Sequence, residues 1–226
     1  MGKVIGDILP LAIGVAISVV PIVAVILMLF SSRAKTNSVA FLAGWLCGLI
    51  VVGGVGLAIA GGSGAGSDAG EPKDGVGIVQ MLLGVGLLFL AYRNWQKRPA
   101  EGEQAATPGW MASIDAFGPL KSFGLAAALS GVNPKNLALT VAAAVSIAAS
   151  GIATGKQIGA LAAFIVLASV TVATPVIAYL ILGNKTDNAL KSMKAWLIAH
   201  NDAIMAVLFL VFGFKLLGDS IAVLAA

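Results

Sequence analysis

This chain of 226 positions has one cysteine, one histidine and only ten acidic residues. With Cys47 alone, inside an apolar run, no intrachain disulfide and no cysteine metal cluster can form. His200, the sole histidine, falls in a polar stretch that reads as a solvated loop, so neither a zinc site nor a histidine-centred triad has a basis. No Walker loop, GxSxG, HExxH or central carboxylate pair occurs; neither enzymatic activity nor a metal or cofactor is expected. Charge is scarce as well, at 11% of residues against about 25% in a typical soluble domain.

What is present is hydrocarbon. Hydrophobic residues make up 59% of the chain and the mean hydropathy is +0.99. Six apolar runs stand at about 5–31, 37–60, 76–92, 118–150, 157–183 and 202–224, and a helix needs roughly 20 such residues to cross a bilayer. The expected fold is an all-α integral membrane protein of six transmembrane helices, forming one polytopic domain over 1–226. The start, "MGKVIGDILPLAIG", has Asp7 and Pro10 where a signal peptide would be apolar, so it reads as a retained first helix. "GGSGAGSDAGEPKDG" (61–75) reads as a flexible connection and "RNWQKRPAEGEQAATPG" (93–109) as a charged loop.

Sorting the cations by alternate sides puts Arg33, Lys35, Arg93, Lys97, Arg98, Lys121, Lys185, Lys191 and Lys194 together, nine against the four of Lys3, Lys73, Lys156 and Lys215. By the positive-inside rule the larger group is cytoplasmic, which places both termini outside a bacterial inner membrane. Trp95, Trp110 and Trp196 flank that same side as interfacial anchors, and Trp110, Ile114 and Phe117 in "WMASIDAF" share the face of a short surface helix. The net charge of +4 does not point to nucleic acid, because the cations flank apolar runs rather than forming one basic face.

Lys135 belongs to neither group. It lies in "SGVNPKNLALT" (130–140), within a run too long for one straight span: 33 residues of helix measure about 50 Å against a core of about 30 Å. Asparagine is a favoured N-cap and proline a favoured first helical residue, so Asn133 and Pro134 read as the start of a half-helix near mid-membrane. Its unpaired N–H groups, its dipole and the charge of Lys135 favour an anion. No acidic residue is central in any run, so an anionic head group or water is the expected partner of Lys135. The competing explanation is a proline kink whose lysine snorkels to the surface. Re-entry of this segment would level the charge asymmetry to eight against five, which favours a broken helix that crosses.

The first run offers a counterpart, with Pro21 three residues after Ser18, as Pro134 comes four after Ser130. Proline-interrupted segments opening each half are the sign of an inverted 3+3 repeat with a midplane site; the halves run over about 5–92 and 118–224, joined by a cytoplasmic loop 93–117. The candidate substrate site is therefore Lys135, Asn133, Pro134 and Asn136 with Ser130, Ser18 and Pro21. Thr174, before Pro175, either lines the same cavity or bonds its own helix. Lys215 and Asp219, one turn apart, form an ion pair or a proton relay. Gly44 and Gly48 in "GWLCG" mark close helix packing.

Three stretches, "PIVAVILMLFSSRAKTNSVAFLAGWLCGL" from Pro21, "LSGVNPKNLALTVAAA" from Leu129 and "GFKLLGDSIA" from Gly213, resemble the mycobacterial glycopeptidolipid- and sulfolipid-addressing proteins of the LysE-type exporter superfamily. The resemblance covers most of the chain and is most specific at the asparagine-proline-lysine turn. It implies a six-helix inner-membrane protein that moves complex lipids, or small solutes in the wider superfamily, out of the cytoplasm. The partners it suggests are membrane lipids, a lipid or glycolipid substrate, a large lipid exporter and further copies of the chain. Export or flipping of an anionic or amphipathic lipid is the leading expectation. A LysE-like exporter of amino acids or cations, and a non-transporting accessory subunit, are the alternatives.

Overall fold

A computed structural model describes residues 1–62, 72–97 and 114–225, and among these every regular element is a helix. Eight α-helices follow in order: α1 (Gly2–Ala16), α2 (Val19–Leu29), α3 (Ala34–Gly62), α4 (Pro72–Lys97), α5 (Pro119–Gly131), α6 (Pro134–Ala149), α7 (Thr154–Leu182) and α8 (Asp187–Leu224). Short 3-10 turns at Ile114–Ala116 and Gly183–Thr186 precede α5 and α8. Helices dominate because hydrocarbon cannot hydrogen-bond a backbone, and a helix satisfies its own.

Four helices, α3, α4, α7 and α8, are long and apolar enough to cross a membrane alone, and the bent pair of α1 and α2 brings the number to five. The expected fourth span is divided: α6 is apolar but has 16 residues, about 24 Å, which falls short of the core thickness alone. Apolar side chains clothe the outside, among them Ile59, Leu82, Val166 and Ile221, each more than 60% exposed. A water-soluble monomer does not carry such a surface. The chain is a membrane protein.

Both interrupted helices break where local chemistry directs. Pro21 sits in the first turn of α2, where its missing N–H is no loss, and its ring would clash with the carbonyl four residues back, at Ile17. The helix accordingly ends at Ala16 and restarts at Val19 with a 51° bend. In the second break, Asn133 caps α6 by accepting from the Lys135 backbone N–H at 3.1 Å, and Pro134 is its first residue.

Two loops expected from composition are helical instead. α8 begins at Asp187, well before the expected start at 202, and carries Lys191, Lys194 and Trp196 on its first turns. Leu190 and Leu197, two turns apart, are buried on one helical face, and that packing outweighs the polar residues between them. His200 is therefore a helical residue and not a loop residue; its ring stacks on Trp196 at 4.8 Å, with Nδ1 2.8 Å from the Trp196 carbonyl. Likewise Arg93 to Lys97 close α4 rather than opening the charged loop. In "WMASIDAF", Trp110 and residues 111–113 lie outside the described residues; Ile114 is buried in a single 3-10 turn packed against α2 and does not face the surface.

The core lies where α3, α6 and α7 pack around α1 and α2, with Phe41, Trp45 and Phe164 fully buried. Trp45 satisfies its indole by donating to Ser169 Oγ at 3.2 Å. Helix α3 approaches α5 through Gly44 and Gly48: a Cβ there would stand 2.1 Å from the Phe123 carbonyl oxygen and 2.0 Å from Ser130 Oγ. This contact brings the second break against the core.

Candidate functional site at the crossing of the two broken helices

A helix that stops inside the bilayer leaves carbonyls without partners, and in hydrocarbon these are costly. At the end of α1 donors from several helices converge on these carbonyls. The Ile13 oxygen accepts from the Ile17 N–H at 2.9 Å. The Gly14 oxygen accepts from Lys135 Nζ at 2.7 Å, and the Ile17 oxygen accepts from the same ammonium at 3.4 Å. Ser18 Oγ lies 2.6 Å from the Val15 oxygen, and Thr171 Oγ1 donates to the Ala16 oxygen.

Lys135 thus crosses from the second break to the first. Its side chain is 1% exposed and also donates to Ser18 Oγ at 2.8 Å. Among the described residues it has no carboxylate partner; its charge is met by the negative end of the α1 dipole, two carbonyls and a hydroxyl. The expected geometry put the ammonium beside the N–H groups of its own half-helix. The ammonium points instead to the carboxyl end of another, where a cation gains from the dipole, and one of those N–H groups is already taken by Asn133.

Asn136 joins the two breaks. Its Oδ1 is 2.8 Å from Ser18 Oγ, and its Nδ2 donates to the Leu129 oxygen in the last turn of α5 at 2.9 Å. Ser18 has one proton for two acceptors, Val15 and Asn136, while receiving from Lys135, so a change at any of these atoms reaches the others. Lys135, Asn136 and Ser18 form this network directly, and Asn133 shapes it from the backbone.

The remaining candidates stand apart. Pro21 is buried and Pro134 exposed, and each acts through helix geometry. Ser130 bonds the Ala127 oxygen at 3.2 Å and faces Gly48 of α3. Thr174 is exposed and bonds the Val170 oxygen of its own helix at 2.7 Å. Lys215 Nζ and Asp219 Oδ2 lie 2.6 Å apart on α8, with side chains 25% and 36% exposed. Thr171 was missed from sequence, although it stands four residues before Pro175; only the position of the α1 end distinguishes it from Thr174.

These features define a class: an all-helical membrane protein in which a buried lysine from one interrupted helix caps the other. The chain belongs to the Sap, sulfolipid-1-addressing protein family, whose sequence model matches residues 8–222. No curated protein and no solved structure matches it.

Proposed function

We propose that this protein is a membrane transporter, exporting or flipping an anionic or amphipathic lipid, with the network around Lys135 as its substrate site in a closed state. The observation that carries this is a lysine amine, 1% exposed, whose partners among the described residues are two carbonyls and a hydroxyl and no carboxylate. A sulfate or phosphate would offer the ammonium a charged partner stronger than a carbonyl. The family description supports the same chemistry, because a sulfolipid carries an anionic head on an apolar body. A LysE-like exporter of amino acids or cations would want a carboxylate at the crossing, where Lys135 stands instead.

In this reading α5 and α6 together make the fourth of six crossings, and the two halves form an inverted repeat of the LysE superfamily type. The packing supports it, since contacts recur when the halves are exchanged. α3 on α5 and α6 corresponds to α7 on α1 and α2, α1 on α6 to α5 on α2, and α2 on α8 to α6 on α4. Three crossings per half make the halves opposite in orientation. The nine-cation side would face the cytoplasm of a bacterial cell and both termini the outside. The protein is read as a carrier and not an enzyme.

One observation favours a second reading, an accessory subunit of a large lipid exporter: every donor of Lys135 is already used within the chain. Reconstitution of the purified protein alone in liposomes, with a fluorescent sulfated lipid and an impermeant quencher, separates the two. Flipping above protein-free vesicles supports the transporter, and none supports the accessory role.

A further inference from the structure

Beside the polar crossing, a groove of about 510 Å³ opens between α2, α7 and α8. It begins at Ile17, whose carbonyl lies 3.4 Å from Lys135 Nζ, and runs past Thr171 and Ala178 to Ala189, Met193 and Trp196. Three threonines line it, and every hydroxyl is committed to a carbonyl: Thr171 to Ala16, Thr174 to Val170 and Thr186 to Gly183. Apart from the Trp196 indole N–H, the groove therefore offers an occupant shape and apolar contact without a free side-chain donor. A peptide or a sugar would lose its hydration there with almost no compensation. A hydrocarbon chain has none to lose.

Its inner end is positive. There stands the Lys135 network, reached through Ile17, while Lys191 on α8 turns away from the lining stripe toward Phe30, its Nζ 5.8 Å from the ring centre. An apolar slot with a buried cation at its inner end matches an amphiphile with an anionic head. Its head can reach the buried lysine while its tail stays in apolar surroundings. We infer that this groove holds the acyl chain of the anionic amphiphile that the protein moves, as the lateral path between the bilayer and the Lys135 site. The inference rests on the transport reading and adds where the tail lies.

The test uses the full chain in phosphatidylcholine vesicles with an alkyl sulfate bearing a diazirine in its chain, adducts being mapped by mass spectrometry. Adducts are expected at Ala178, Ala189 and Met193 in preference to lipid-facing Val166 and Leu82. Unlabelled alkyl sulfate should compete them away, and the alcohol of equal chain length should compete poorly. Ala178→Trp and Ala189→Trp fill the groove from opposite walls, so that a folding failure of one leaves the other informative. Excluding even two methylenes lowers occupancy about tenfold. Adducts spread evenly over the lipid-facing surface, equal competition by the alcohol, or unchanged labelling in a folded tryptophan variant would each overturn the inference. Flipping by the wild type is measured in parallel. Groove labelling without flipping leaves the groove assigned and removes the transport reading, whereas flipping with evenly spread labelling does the reverse.

Discussion

Replacing Lys135 by methionine keeps most of the side-chain volume and removes the charge, so it isolates what the ammonium does. The change leaves the Gly14 and Ile17 oxygens without their donor, now at 2.7 and 3.4 Å. Each buried orphan acceptor costs about 1–3 kcal/mol, and the longer contact contributes at the low end. Loss of a cation at a helix carboxyl end adds up to about 2 kcal/mol. Against this, the charge itself costs about 2.5–3.5 kcal/mol at membrane depth, which the substitution relieves. The terms nearly cancel, and Lys135→Met should change stability by no more than about 2 kcal/mol. Transport should be lost none the less, because methionine offers an anion nothing. Lys135→Ala is the poorer probe, since it adds a cavity costing about 2–5 kcal/mol. Lys135→Arg should keep partial activity, as the charge survives while a planar fork replaces three rotatable donors. Thermal unfolding in detergent and lipid flipping at matched protein abundance read the two effects separately. Wild-type flipping by Lys135→Met would refute the site, and its collapse in detergent would refute the charge accounting.

Asn133→Ala removes the cap on the Lys135 N–H and should destabilise the protein by about 0.5–2 kcal/mol in the same unfolding assay. Asn136→Leu uncouples the two breaks and leaves the Leu129 oxygen unpaired, so it should cost about 1–3 kcal/mol and reduce flipping, whereas Ser130→Ala, outside the network, should leave flipping near wild type. Gly48→Ala places a methyl 2.0 Å from Ser130 Oγ and should cost about 1–3 kcal/mol by pushing α3 from α5, read as a lowered melting temperature. For topology, single cysteines at Lys97 and Gly70, introduced after replacing Cys47, should react with an impermeant thiol reagent from opposite sides; labelling from one side alone would exclude the six-crossing arrangement.

The membrane class and the all-helical fold were legible in the chain because hydrocarbon permits little else to an apolar run. The second break was legible to the residue, since an asparagine cap and a first-turn proline act on their own neighbours. The first was displaced from Pro21 to Ile17 and Ser18 because a proline disturbs the turn behind it. The early start of α8 was hidden, as Lys191, Lys194 and His200 resemble a loop until Leu190 and Leu197 are seen to pack. What the sequence by itself determined was that Lys135 lies in an apolar run at the start of a half-helix, with no central carboxylate to pair it, so that an anionic head group or water was its expected partner. Which oxygens it meets was decided only in the tertiary structure, where Gly14 lies 121 positions away along the chain and Ser18 lies 118 positions from Asn136. The reason is physical: a cap is local to its helix, but the carbonyls at the end of α1 draw donors from whatever helices cross there.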